Sequence, residues 1–364
     1  MKPQIEAGEL AVVGLIQEQH PERTILFNQW KKIPMKLLAD PLNQLEVAVV
    51  PITLLIDEQG TIRYRNPKPS DVTTFLNKDY QDQPAAANSS SGYGIDQGAE
   101  WVLQNQFSKA INHYEQELKK NPKESRLEFR LGVAYRMRFD SDDRQSGDFE
   151  RAVEHWTKAL QLNPNQYIWR RRIQQFGPIL DKPYPFYNWI DTAQADLIDR
   201  GETPTPISVP PTESELAQPS RTRNRITKSV NLVSPDPESK IQTDDTLSIS
   251  QIVVPATDSR KTTVRLHLLL QPGVPSVGWN NEADPVTVWI DAEQDVTIPK
   301  PLLTIAPNAE ASQKATSNET RTAEVEISWK GDRPEKLATG YVLYHRCDKQ
   351  TGQCSFWRQN FTVK

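Results

Sequence analysis

Cysteine is nearly absent from this 364-residue chain: only Cys347 and Cys354 are present. Two thiols cannot build a disulfide-rich scaffold, so the fold must rest on packed cores. No run approaches the roughly 20 apolar residues of a membrane-spanning helix. The start, MKPQIEAGELAVVGLI, has one basic residue followed by acids and is not a secretory leader. Charge of one sign is also missing, with 43 Lys+Arg against 47 Asp+Glu, so there is no global pull toward nucleic acid or a membrane surface. A Gly-rich phosphate loop, a Ser nucleophile elbow and an HExxH metal motif are all lacking. Apolar content is low at 37% and proline is high at 28 residues. Together these describe packed domains separated by polar linkers, with two or three domains expected at this length.

Segment 1–80 alternates strand and helix signals. LAVVGLI (10–16) is an apolar run of strand length, expected to be buried on both faces. PERTILFNQWKK (21–32) has helical spacing with Pro21 in its first turn. KLLAD (36–40) reads as a short strand. DPLNQLEV (40–47) reads as one or two helical turns capped by Asp40. ITLLID and TIRYR are strands joined by the Gly-closed turn DEQG, and SDVTTFLNK (70–78) is a closing helix capped by Ser70. The order is β-α-β-β-α.

That order, and VVPITLLIDEQG at 49–60 in particular, resembles the redoxin/TlpA-like branch of the thioredoxin-like fold across most of segment 1–80. The resemblance implies that Val50 and Pro51 form a cis-proline segment that docks substrate. It also implies a first strand and a Cys-x-x-Cys helix ahead of position 10, which this chain lacks. The expectation is an incomplete domain over residues 1–80, with more chain upstream in the parent protein. Residues 10–16 would then lose a hydrogen-bonding neighbour.

QDQPAAANSSSGYG (81–94) has the composition of a flexible linker. Residues 95–200 then repeat a pattern. One unit supplies Gly98, Trp101, Ala110, Tyr114 and Pro122. The next supplies Leu131, Gly132, Tyr135, Ala152, Trp156, Ala159 and Pro164. The intervals Ala110–Tyr114–Pro122 and Ala152–Trp156–Pro164 are the same. This resembles the tetratricopeptide repeat, in which small residues let paired helices approach, aromatics fill the gap and Asn-Pro ends the second helix. The second unit carries an acidic insertion, RFDSDDRQSGD, after Tyr135. YIWRRRIQQFGPIL (167–180) is expected to cap the repeats, with WRRR on a solvated face. The repeat implies a protein or peptide partner, or an intramolecular spacer.

Residues 201–240 form a Pro-rich linker with prolines at 204, 206, 210, 211, 219, 235 and 237. The basic run RTRNRITK (221–228) lacks interleaved aromatics, so nucleic acid is not an expected partner. Residues 241–364 show strand-length segments at 263–273, 284–292, 322–331, 338–347 and 354–364, an all-β antiparallel sandwich. Val286, Val288 and Ile290 share one face. The last two strands make a hairpin with the loop DKQTGQ and Gly352 at a left-handed position.

The two cysteines stand at the feet of that loop. Paired strands would bring their Cα atoms to about 5.5 Å, within reach of a disulfide that closes too short a loop to add much stability. Four roles remain open: a structural bridge, a redox-active pair, two free thiols, or a metal site including His345. YVLYHRCDKQTGQCSFWRQNFTV resembles the C-terminal hairpin of the immunoglobulin-like N-terminal domain of the thiol:disulfide interchange protein DsbD. LQPGVPSVGWNNEADPVTVWIDA resembles the matching domain of bacterial proteins that join thioredoxin, tetratricopeptide and DsbD-like modules. The resemblance makes Cys347 and Cys354 the exchanging pair, supplied with electrons by a thioredoxin-like partner, and implies a periplasmic or extracytoplasmic site. The loop is one residue longer than the family's, and no equivalent of its shielding aromatic flap is evident. No cofactor is implied.

The expected fold class is multidomain: an incomplete α/β thioredoxin-like domain, an all-α repeat segment and a C-terminal immunoglobulin-like sandwich. The expected function is thiol–disulfide exchange. Its rival is a non-catalytic interaction scaffold with a vestigial redoxin domain, peptide-binding repeats and a structural disulfide.

Overall fold

The computed structural model describes residues 2–80, 96–180, 187–212, 214–216, 233–258 and 260–364. The linker expected at 81–94 and the basic run at 221–228 lie outside them. The protein is multidomain, with helices and several separate sheets. It divides into two compact units, one of Met1–Arg172 with Asp196–Val209, the other of Ile173–Ala195 with Pro210–Lys364.

The first unit begins with α1 (Lys2–Glu6), β1 (Val13–Ile16), α2 (Pro21–Lys31), β2 (Lys36–Ala39), β3 (Leu54–Ile56), β4 (Ile62–Arg65) and α3 (Pro69–Leu76). β1 and β2 pair in parallel, β3 and β4 antiparallel, and the two pairs are separate sheets. The run 10–16 is not buried on both faces: Val13 is 47% and Leu15 45% exposed. Among the described residues, β1 has a strand neighbour on one edge only. Two other expectations also fail. Segment 40–47 is not helical, because Asn43 and Glu46 take left-handed φ values of 50° and 51°. Asp40 instead accepts from the Gln44 N–H, and Asn43 Oδ1 from the Val47 N–H at 2.9 Å. α3 starts one residue before Ser70; Asp71 accepts from the Lys68 N–H at 2.8 Å and closes that end.

The helices that follow are α4 (Gln97–Leu103), α5 (Phe107–Lys120), α6 (Ser125–Phe139) and α7 (Asp148–Leu162). α5 buries Phe107, Ala110, Ile111 and Tyr114; α7 buries Phe149, Ala152, Val153 and Trp156. Both stripes follow the i, i+3, i+4, i+7 rule of a one-sided amphipathic helix. α6 lies among them and is buried on most of its circumference. Glycine makes the contacts close. A Cβ on Gly98 would sit 2.5 Å from the Tyr114 ring, and one on Gly132 2.5 Å from Trp156. Asp96 caps α4 through the Ala99 N–H, accepts the Tyr114 hydroxyl at 3.0 Å and pairs with Arg130. The helical block is tied to the N-terminal strands: Tyr167 N–H donates to the Ala48 carbonyl at 3.0 Å, and Arg126 pairs with Glu46.

α8 (Tyr167–Gln174) and α9 (Ile190–Asp199) follow. The WRRR run is solvated only in part, at Arg170 and Arg171, which are half-buried. Trp169 stacks on Phe129 with ring centroids 5.1 Å apart, and Arg172 is buried.

In the second unit, one sheet has the order β5 (Leu247–Pro255), β6 (Thr263–Pro272), β12 (Arg321–Trp329), β9 (Val296–Thr297). The other runs β10 (Leu302–Ile305), β8 (Val286–Ala292), β13 (Ala338–Asp348), β7 (Val277–Asn280), β11 (Thr316–Ser317), with β14 (Cys354–Val363) on the free side of β13. Leu266, Leu268 and Val325 from the first meet Val286, Val288, Ile290 and Val342 from the second in one core. Strands β5, β7, β9, β10 and β11 were not among the sequence expectations. Alternate residues of β6 point away from that core yet are buried, because segment 176–179 covers them: His267 Nε2 lies 2.7 Å from the Phe176 carbonyl oxygen. Among the described residues no helix is long and apolar enough to cross a membrane.

Candidate functional site

β13 and β14 run antiparallel in register from Ala338↔Val363 to Cys347↔Cys354. The cysteines form a disulfide. Their Cα atoms are 4.0 Å apart, closer than the general disulfide spacing led one to expect, because they are a non-hydrogen-bonded pair, the closer of the two antiparallel arrangements. The loop beyond them is closed by Asp348 N–H to the Gln353 carbonyl and Gly352 N–H to the Asp348 carbonyl, both 2.9 Å. Gly352 takes φ 70°, the left-handed conformation that suits glycine.

Asp348 organises the loop. Its carboxylate accepts the Gln350 and Thr351 N–H groups at 2.8 and 2.9 Å. Those backbone bonds hold its pKa below the ordinary aspartate value. Lys349 fastens the loop to the segment before β7, its N–H donating to the Ser276 carbonyl at 2.7 Å.

The two cysteines are not equivalent. Cys347 lies between two strands, opposite Gly278 of β7 and Cys354 of β14, and is 4% exposed. Cys354 begins an edge strand and is exposed. An incoming group therefore meets Cys354 first. One step along the same face, His345 and Phe356 stack with ring centroids 4.4 Å apart. Further along, the Arg358 guanidinium covers the Tyr341 ring at 3.8 Å and pairs with Asp236 at 2.7 Å. Burial alone would raise the Asp236 pKa, but the Arg358 bond and backbone N–H groups outweigh it and lower it. Among the described residues no cluster of His, Cys, Asp and Glu could hold a metal ion.

The other singled-out residues lie in the first unit. The Val50–Pro51 peptide is cis, and both residues are exposed. Gly98, Ala110, Tyr114, Leu131, Gly132, Tyr135, Ala152, Trp156 and Ala159 are buried in the helical block and Trp101 is half-buried, but Pro122 and Pro164 are exposed and not part of the core, because they lie just past the ends of α5 and α7. Also in this unit is an open cleft of about 550 Å³, with Gln19, His20, Phe107, Met137 and Asp140–Asp143 in its wall. The acidic insertion was visible in the sequence. Its juxtaposition with Gln19 and His20, far earlier in the chain, was not.

No family model and no curated protein matches the chain. Among solved structures, a FixG-related protein from Vibrio parahaemolyticus is 12% identical, covering 33% of this chain and 99% of its own, with a TM-score of 0.16. AvmM, which catalyses macrocyclization in alchivemycin A biosynthesis, is 13% identical over 34% of this chain and 91% of its own, with a TM-score of 0.17. At such TM-scores neither likeness bears on fold or function.

Proposed function

We propose that the chain is a thiol–disulfide exchange module whose electron-carrying group is the Cys347–Cys354 pair. In this reading residues 241–364 are an immunoglobulin-like, DsbD-type domain, residues 1–80 are a thioredoxin-like domain, and α4–α7 are two tetratricopeptide-like hairpins. The carrying observation is the asymmetry of the bridge, with one cysteine exposed on an edge strand and the other buried between two strands.

A thiolate of a thioredoxin-like dithiol partner attacks Cys354 Sγ. The S–S bond breaks, and its electron pair leaves on Cys347 Sγ, which takes a proton from solvent. The partner's second thiol then attacks the mixed disulfide and releases Cys354 as a thiol. The partner ends as a disulfide and the pair as two thiols, two electrons and two protons having moved. Val50 and Pro51 are assigned a docking role for a peptide segment.

Equilibration in glutathione or dithiothreitol buffers, followed by alkylation and mass analysis, tests this. A potential near the thioredoxin value of about −270 mV supports exchange, and one below about −300 mV marks a structural bond.

The second reading is an interaction scaffold in which the repeats hold a peptide and the bridge is structural. The closely fitted α4–α7 block, with Gly98 against Tyr114 and Gly132 against Trp156, favours it.

A further inference from the structure

We propose that the cleft beside the acidic insertion is a binding site for a basic, extended peptide segment of a protein partner. This goes beyond the disulfide reading. It deepens the peptide-binding reading of the helical block, on which it rests, by giving the peptide a place and a charge.

Four observations carry it. First, the cleft, at about 550 Å³, has the size of a ligand site, and Phe107 and Met137 give it an apolar wall. Second, its charged lining is acidic: Asp140, Asp142 and Asp143 contribute to it, and no Lys or Arg does. Third, these carboxylates differ in what they have left to offer. Asp140 is clasped by Arg136 through bonds of 2.9 and 3.0 Å and lies 3.5 Å from His20 Nε2. Asp142 and Asp143 are exposed, and among the described residues neither carboxylate has an ion-pair partner. They are the charges available to an incoming Lys or Arg. His20 adds no competing positive charge, because burial first, then Arg23, Arg136 and Arg172, push its pKa well below the ordinary histidine value.

The fourth observation is independent of charge. Gln19, in the cleft wall, is 2% exposed, and its side-chain oxygen and nitrogen are both buried without a hydrogen-bond partner among the described residues. A buried amide with both its donor and its acceptor unspent is costly. A peptide main chain offers the complement, one C=O and one N–H. A simple cation would leave the donor unsatisfied, and an acidic peptide would meet Asp142 and Asp143. A basic peptide satisfies all of these groups together.

The test probes an array of immobilised acetylated hexapeptides, each position varied in turn, with the whole purified chain. Retention should favour Lys and Arg over Glu by about fivefold or more. D142N/D143N should lower that preference by about two- to fivefold per charge, as expected for exposed ion pairs. Q19L gives a second signature: it removes an unsatisfied buried amide, so it should raise the Tm while lowering retention of basic peptides severalfold. A merely misfolded variant would lower both.

Retention with no charge preference, or a preference that survives D142N/D143N, overturns the site while leaving peptide binding elsewhere on the helices intact. Retention of no peptide overturns both. Competition by spermidine as strong as by a soluble basic hexapeptide also overturns it, in favour of a small-cation site. So does Q19L leaving retention unchanged.

Discussion

Gly132 of α6 faces Trp156 of α7 so closely that a Cβ on Gly132 would stand 2.5 Å from the indole and 3.0 Å from the Ala152 carbonyl oxygen. Trp156 is fully buried, so the indole has little room to retreat, and the backbone oxygen has less. Gly132→Ala should therefore push the two helices apart and destabilise the first unit by about 1–3 kcal/mol, the usual cost of overpacking. Urea unfolding followed by the far-UV helical signal checks this. An alanine variant as stable as the parent would mean the helices are not this close.

That contact shows what was legible in the sequence. Gly132, Ala152 and Trp156 were readable as one packing unit because all three sit on local, periodic helices. The hairpin bearing Cys347 and Cys354 was readable because two alternating strands flank a short loop with Gly352. Non-local pairing was not readable. β5 and β7 carry no clear turn signals of their own and are held by β6 and by the distant β13. The exposure of Val13 and Leu15 contradicts their apolar character, which predicted burial. Asp40–Val47 offered a capping pattern, but side-chain bonds from Asp40 and Asn43 hold a turn instead. In the disulfide site, the pairing was legible and the difference between the sulfurs was not. The enclosure of Cys347 comes from β7, a strand that lies far from it along the chain.

The acidic insertion is anchored by a buried ion pair. Arg138 Nη2 donates to Asp148 Oδ1 at 2.6 Å and its Nε to Oδ2 at 3.0 Å, while Asp148 also accepts the Gln145 N–H. Asp148→Ala would leave Arg138 as a buried, uncompensated charge, with a cost of about 3–5 kcal/mol. The helical signal should melt earlier by a matching amount. The charge-preserving Asp148→Glu should recover part of the loss.

Glu324 and His267 face each other across β12 and β6, and Arg265 completes the group with a 2.8 Å bond to Glu324. Burial would raise the Glu324 pKa, but the bond and charge of His267 and those of Arg265 outweigh it and bring it down to about 2 from 4.5. The folded pKa lies below the unfolded one, so this carboxylate stabilises the fold fully above about pH 4.5. That stabilisation is lost as pH falls toward 2, where the unfolded chain binds a proton that the folded chain refuses. The difference in Tm between the parent and Glu324→Gln should therefore narrow across this window. A difference that stays constant from pH 6 to pH 3 would remove Glu324 from the acid response.

The disulfide yields the sharpest expectation. In Cys347→Ser the remaining thiol is Cys354, exposed on an edge strand; in Cys354→Ser it is Cys347, enclosed between β7 and β14. Access as well as thiolate content governs thiol reactivity, so native-state maleimide labelling of Cys354 should outpace that of Cys347 by about tenfold or more. Unfolding both variants in urea should abolish the difference, which separates burial from any change in intrinsic reactivity. A dithiol partner with its resolving thiol removed, offered to the intact Cys347–Cys354 disulfide of the parent, should accordingly be trapped as a mixed disulfide on Cys354 and not on Cys347. Equal trapping at both positions would mean that the sheet does not choose which sulfur is attacked.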